Sequence, residues 1–282
     1  MNNTFTHPKE YVRNYLRSED LGALIQWFES NPVAFVKFTL RAVTGELPLD
    51  YWRRVVRLRY PELYDVFNAW IYHVKKDKAL KQKLIELIAD NIVEKLHDIK
   101  TVEIPYLPRK GIILDIGSGY LSMSKQLVIE SLRNKNLELY LIDNAEIPCK
   151  VAIEVINKIG SPKNVRVLRV SADQLPFNDN SVDAVTLLGT FHELSWTIFN
   201  IELHRNMENL KVDYEHLERA VVEYKPFIRE FHRVLKIGGK LIIIDKIMDA
   251  YNADYVEKIM RNVFKVLNKE KKERKFILIF EK

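Results

Sequence analysis

Apolar positions along this 282-residue chain follow two different rhythms. From Pro8 to about Ile99 they recur every three or four residues, the spacing that lines one face of a helix. No run in that stretch alternates with the period of two that a half-buried strand needs. The clearest helix starts at Asp77, a good N-cap, and carries Leu80, Leu84, Leu87, Ile88, Ile92 and Leu96 on one side. Shorter helices rich in Trp, Tyr and Phe precede it, and Pro8, Pro32 and Pro61 stand where a first helical turn tolerates proline. The stretch 100–111 (KTVEIPYLPRKG) has two prolines, a glycine and no helical period, so it reads as a linker.

Beyond the linker, short aliphatic runs alternate with helical stretches. GIILDIG, LELYLID, VRVLRV, VDAVTLLG and KLIIIDK are the runs, and helices are expected over 122–132, 147–159 and 214–235. Strands apolar on both faces and joined by helices form a parallel sheet covered on both sides. The expected architecture is therefore α/β: a doubly wound, mostly parallel sheet of six or seven strands with an all-helical N-terminal appendage. The appendage would span 1–104 and the sheet domain 105–282. Toward the C-terminus the pattern gives one helix, 254–267, and one strand, 276–280.

Composition narrows the class. At 47% hydrophobic and 29% charged residues, the chain has the make-up of a soluble globular protein. No apolar run approaches the roughly 18 residues of a membrane span, and the first residues lack the apolar core of a secretory signal. A cytoplasmic location is the default expectation. A single cysteine, Cys149, excludes an intrachain disulfide and a Cys/His zinc cluster, and no metal site is expected. The net charge of +6 is modest, and its densest block, 269–275 (KEKKERK), interleaves lysine with glutamate, as a solvated surface does more often than a nucleic-acid patch.

In such sheets ligands bind beyond the carboxyl ends of the strands. The first strand ends on Asp115, followed by Gly117 and Gly119, a turn shared by dinucleotide and nucleoside sites and by plain strand-to-helix turns. A dinucleotide turn would place a third glycine where Ser122 stands, and the missing Gly-Lys-Ser/Thr rules out a P-loop. Asp143 closes the second strand, where an acid either accepts ribose hydroxyls or caps the next helix. After the third strand, Asp173 is placed to accept from an exocyclic amine between the apolar Leu175 and Phe177.

Taken in order, Asp-x-Gly-x-Gly, the acid after strand two, SADQLPFNDNSVDAVTLLGTFHEL and EFHRVLKIGGKLIIID resemble the S-adenosylmethionine-dependent methyltransferases of Rossmann-like fold. The nearest flavour is the group acting on quinones, sterols and other small molecules, and the likeness covers about 110–245. It implies S-adenosylmethionine as cofactor and S-adenosylhomocysteine as product. It also implies that Asp115, Gly117, Ser118 and Gly119 face the methionine part and that Asp143, with Asn144 beside it, holds the ribose. Asp173 and Gln174 would flank the adenine, Gly189 and Phe191 would line the reaction centre, and Asp183 would be structural. The sequence departs from the family at Leu121, where a third glycine is usual, and after strand five, where the family has a helix and two more strands, so one edge strand is expected to be absent or displaced.

Methyl transfer needs a base only when the acceptor must lose a proton. His192 and Glu193, just past strand four, are the candidates for catalysis, with packing at a helix start as the alternative for His192. The stretch 194–226 reads as a long connection whose Trp196, Phe199, His204 and Tyr214 join a lid, with packing of Trp196 and Phe199 on the N-terminal helices as the alternative. The helical appendage reads as a lid, a recognition module or a homodimer interface. A small or lipid-like acceptor is the leading expectation. The alternatives are an RNA or protein methyltransferase and, from another class, a non-catalytic cofactor-binding protein.

Overall fold

Residues 7–97, 104, 106–208 and 211–282 are described by the structure, a computed structural model. Part of the linker (100–103 and 105) and the side chain of His204 lie outside the described residues. The chain divides into two compact units, Met1–Asp98 with Ala145–Ile159, and Ile99–Asn144 with Gly160–Lys282.

The first unit is helical. It holds α1 (Pro8–Ser18), α2 (Ile25–Ser30), α3 (Pro32–Thr44), α4 (Leu49–Arg59), α5 (Tyr64–Lys76) and α6 (Lys78–His97). Asn31 caps α3 ahead of Pro32 by accepting the Ala34 N–H at 3.0 Å, and Asp77 caps α6 by accepting the Leu80 N–H at 2.9 Å. Five of the described aromatic residues, Phe28, Phe35, Trp52, Phe67 and Trp70, are buried in its core. Phe28, Phe35, Phe67 and Trp70 are fully buried, and the Trp70 indole N–H donates to the buried Thr39 hydroxyl at 2.9 Å.

The second unit is built on β1 (Gly111–Ile116), α7 (Lys125–Arg133) and β2 (Leu137–Asp143). From β2 the chain enters α8 (Glu146–Lys158), which groups with the helical unit, and returns to β3 (Val165–Arg169) and β4 (Val182–Leu188). Then follow α9 (Trp196–Glu208), α10 (Tyr214–Val234), β5 (Leu235–Lys246), α11 (Ala253–Met260), β6 (Lys265–Lys272) and β7 (Lys275–Glu281). The seven strands run in the order β3-β2-β1-β4-β5-β7-β6. The first five are parallel, and β7 is antiparallel to both its neighbours. Because β1 pairs with β2 on one side and β4 on the other, the strand order reverses at β1. That is where an open α/β sheet forms its ligand crevice.

Three expectations need correction. The edge strand expected to be missing is present as β6, and α11 stops at Met260 instead of continuing to Leu267. The KEKKERK block supplies the end of this edge strand and the turn into β7; lysines on an exposed edge discourage pairing with another chain. The long connection over 194–226 holds α9 and most of α10. Pro226 sits inside α10, where a proline deletes the bond to the carbonyl of Val222; both residues are exposed, so water can satisfy that oxygen. Finally, α7 begins at Lys125, three residues later than its apolar pattern suggests, because residues 117–124 complete a left-handed turn first.

Two motifs hold the sheet in register. The Asp183 carboxylate accepts the Ile112 N–H at 2.8 Å and the Lys236 ammonium at 2.8 Å, joining β1, β4 and β5. Asp183 is thus structural, as its resemblance implies. The Arg233 guanidinium donates to the carbonyls of Leu175 (3.0 Å) and Phe177 (2.8 Å) and to Asp179 (2.8 Å), and Glu230 accepts the Leu175 N–H at 2.6 Å. The LPFND loop and the EFHRV helix end therefore hold each other, which gives their joint occurrence a physical reason.

Candidate functional site

Beyond the carboxyl ends of β1, β2, β3 and β4 lies a cleft. Its floor and sides are Ile116, Gly117, Ile142, Asp143, Asn144, Val170, Ser171, Ala172, Thr190, Glu193, Leu194 and Phe227. The turn after β1 is tied down at three points. Ser118 N–H donates to Ile142 O at 3.0 Å, Gly119 N–H donates to Asp143 Oδ2 at 2.9 Å, and Thr190 Oγ1 donates to Gly117 O at 3.0 Å. Gly117 has φ +64°, and a Cβ there would stand 2.0 Å from Thr190 Cγ2, so only glycine lets β1 and β4 close on each other here.

Leu121, the residue that departs from the family pattern, has φ +54°. It adopts the left-handed backbone that glycine would take freely, and its side chain is fully buried. Holding a non-glycine residue there costs on the order of 1 kcal/mol. Burying a leucine contributes about 1.5–3 kcal/mol, so the exchange favours leucine.

The sequence candidates divide by position. Gly117, Asp143 and Asn144 line the cleft, as does Glu193, whose side chain is 46% exposed. Ser118 and Gly119 shape the turn through the bonds above. Asp115 stands behind that turn, completely buried, with Oδ1 accepting the Thr186 hydroxyl at 2.7 Å. Burial pushes its pKa up to about 6, opposed by hydrogen bonds from Ser124 and Thr186 and aided by the nearby Asp143 charge. The wall after β3 is Val170, Ser171 and Ala172. Asp173 is held by the Ser171 hydroxyl, and Gln174 is exposed. Gly189 (φ +76°) links the end of β4 to β5 through its N–H to Ile244 O.

Phe191, expected to line the reaction centre, is a core residue, stacked on Tyr224 with ring centres 4.5 Å apart and planes within 6°. The strand-to-turn bend aims Thr190 at the cleft and its neighbour inward. His192 is also buried. Its Nδ1 lies 2.8 Å from Asp245 Oδ1, and its backbone N–H donates to Asp245 Oδ2 at 2.8 Å. Trp196 and Tyr214, placed in a possible lid, are 61% and 82% exposed.

Thr190, Leu194, Phe227 and Asp245 were not singled out from the sequence. Asp245 had a signal, a lone carboxylate closing the aliphatic run of β5 in the same way as Asp115 and Asp143 close theirs. Leu194 and Phe227 had none, being two more apolar residues in apolar helical patterns.

Chemically, the cleft combines an acid at the end of β2 with apolar walls from Ile116, Ile142, Val170, Leu194 and Phe227. A second acid, Asp115, lies beneath the glycine turn. That set suits a ligand with vicinal hydroxyls, a flat apolar ring and a cationic end, and S-adenosylmethionine has all three.

Comparison with known proteins finds methyltransferases. A family model described as a methyltransferase domain matches residues 114–209, about a third of the chain. The ubiquinone/menaquinone biosynthesis C-methyltransferase of Azotobacter vinelandii is 24% identical over 184 residues, which cover 62% of this chain and 61% of that one. Its counterpart in Klebsiella pneumoniae is 22% identical over 199 residues, 67% of this chain and 68% of that one. The chain thus spans about six tenths of the Azotobacter relative. Among solved structures, a SAM-dependent methyltransferase from Aquifex aeolicus aligns with TM-score 0.43 and 22% identity over 68% of this chain and 88% of that one. A geranyl diphosphate C-methyltransferase from Streptomyces coelicolor A3(2) aligns with TM-score 0.45 and 10% identity, over 73% and 86%.

Proposed function

From a chain that carries a methyltransferase domain of the S-adenosylmethionine-dependent, Rossmann-like type over residues 114–209, we propose an enzyme that methylates a small, apolar acceptor, at carbon. The observation that supports it most is the cleft at the strand-order reversal, where Asp143 meets the glycine turn after β1. The two C-methyltransferase relatives support carbon as the methylated atom. In this reading Asp143 and Asn144 take the ribose hydroxyls, and Gly117, Ser118 and Gly119 pass the methionine chain. Ser171 and Ala172 edge the adenine, and Asp173 steadies that edge through Ser171. Asp115 faces the cationic end from beneath the turn.

When bound, the cofactor supplies an already activated methyl group on sulfonium, so the protein's tasks are alignment and exclusion of water. Leu194 and Phe227 provide the apolar side of the cleft. The acceptor site adjoins Thr190 and Glu193. Replacing C–H by C–CH3 releases a proton, and Glu193 is the ionisable side chain on that side of the cleft. No helix among the described residues is long and apolar enough to cross a membrane.

Titration calorimetry with S-adenosylmethionine tests the site. The parent protein is expected to bind, and Asp143→Ala to bind at least tenfold more weakly, as loss of hydrogen bonds to a charged group costs about 1.5–3 kcal/mol. No heat with the parent would sink the proposal; equal binding by the variant would sink the assignment of Asp143.

A further inference from the structure

The Asp245–His192 pair is a feature that cofactor binding does not use. Asp245 is buried at the carboxyl end of β5, and its two oxygens receive four donors. These are the His192 backbone N–H (2.8 Å), the His192 ring at Nδ1 (2.8 Å), the Lys246 N–H (2.8 Å) and the Tyr251 hydroxyl (2.9 Å). Burial alone would raise the Asp245 pKa, but attraction to the His192 ring when that ring is protonated, the two His192 hydrogen bonds and that of the Lys246 N–H hold it below the usual carboxylate range. A carboxylate only accepts, so His192 Nδ1 carries a hydrogen, and in the neutral ring Nε2 holds the lone pair.

That lone pair points away from Asp245 into a pocket of carboxylates. Nε2 is buried and makes no hydrogen bond among the described residues. Glu193 Oε1 and Glu202 Oε2 each lie 3.8 Å from it. The Glu202 charge is met by Lys246, whose ammonium donates to Oε1 at 2.7 Å. A buried basic nitrogen with no hydrogen bond, facing anionic oxygens, is arranged to receive a proton. Of the two carboxylates, Glu193 is the one that also lines the cleft.

We propose that Glu193, His192 and Asp245 form a proton-accepting relay for the transfer. It rests on the function proposed above, because only an acceptor that loses a proton needs it. The proton leaving the acceptor is taken by the Glu193 carboxylate and passes to His192 Nε2, whose lone pair forms the new N–H bond. Glu193 regains its charge, the imidazolium is balanced by Asp245, and no electrons change hands. The proton returns to water by the same route before the next cycle. His192 thus acts at one remove from the acceptor, and Asp245, steadied by Tyr251 and Lys246, is a positioning residue that sets the tautomer.

Nitrogen-15 NMR of the histidine rings in the protein without added ligand tests this without any knowledge of the acceptor. His192 is expected as a single tautomer with hydrogen on Nδ1; hydrogen on Nε2 instead would overturn the relay. Glu193→Gln should move the Nε2 resonance, while Glu218→Gln on the surface of α10 should not. No movement with Glu193→Gln overturns the coupling. Asp245→Asn should lose the single tautomer, whereas a merely structural role would lower stability and leave the tautomer intact. Should Asp245→Asn fail to fold, Tyr251→Phe, which removes one donor to Asp245, is expected to shift the Nδ1 resonance. Calorimetry on the same samples separates the two readings. Cofactor heat with the wrong tautomer defeats the relay alone, and no heat defeats the function itself.

Discussion

Asp115 shows how one buried carboxylate makes stability depend on pH. Its folded pKa of about 6 exceeds the ordinary 3.8 because the charged form is buried. Between those values the folded state holds more protons than the unfolded one. This group's contribution is therefore most favourable at pH below 4, declines as pH rises through 4 to 6, and reaches its full penalty above 6. The penalty is on the order of 3 kcal/mol. Asp115→Asn keeps the shape and can still accept from Thr186. It should melt higher than the parent at pH 7.5, with the advantage vanishing by pH 4. If the carboxylate serves the cationic end of the cofactor, the same variant should bind S-adenosylmethionine more weakly. Scanning calorimetry over that pH range, with and without cofactor, reads both effects. A variant that gains no stability at pH 7.5 would show that the buried charge is compensated.

At the scale of elements, the LPFND loop hangs on one helix end. Arg233 serves two backbone carbonyls and two carboxylates with one planar fork. Glu230 and Asp179 raise the pKa of its guanidinium further, so its charge is permanent. A lysine offers a point charge and cannot reach all four acceptors. Arg233→Lys is expected to destabilise by about 1–3 kcal/mol, because the buried Leu175 loses a partner for its carbonyl. The denaturation midpoint should fall at unchanged slope, and the Leu175 amide should exchange faster; an unchanged midpoint would show that the loop holds itself.

These elements also show what could be read in advance. The five parallel strands were visible because each is an aliphatic run bounded by turn residues, and Asp115, Asp143 and Gly117 because they sit at strand ends. β6 was not legible. Its apolar residues, Val266 and Leu267, continue the helical spacing of α11, and the rest of it is charged. Only pairing with β7 makes it a strand. Likewise Phe191 and Thr190 are neighbours with opposite fates. The bend after β4 decides which one faces the cleft, and a single residue of register is beyond what periodicity can resolve. The partnership of His192 and Asp245 spans 53 residues and depends on the adjacency of β4 and β5, which local pattern does not encode.

At the scale of the molecule, the path of the chain makes the helical unit more than an addition at the front. Its last helix, α8, is contributed from between β2 and β3, so the chain crosses between the units three times. α8 is apolar around much of its circumference. Ile147, Val151 and Val155 lie on one side, with Pro148, Cys149, Ala152 and Ile156 beside them, and all are buried. Lys158 at its end pairs with Asp90 of α6 at 2.9 Å, within the same unit. A helix with so broad an apolar surface cannot remain folded in water by itself. A chain beginning at Ile99 would keep every strand of the sheet and leave α8 without α1–α6. If the helical unit were an independent module, such a chain would melt in one cooperative transition and bind S-adenosylmethionine as the parent does. The connectivity argues otherwise. The shortened chain is expected to bind a hydrophobic dye, to lose its cooperative transition and to give no cofactor heat, since strands β2 and β3 on either side of α8 carry Asp143 and lead into Ser171 at the cleft. A shortened chain that melts cooperatively and binds cofactor normally would show that α8 can be satisfied without the other helices.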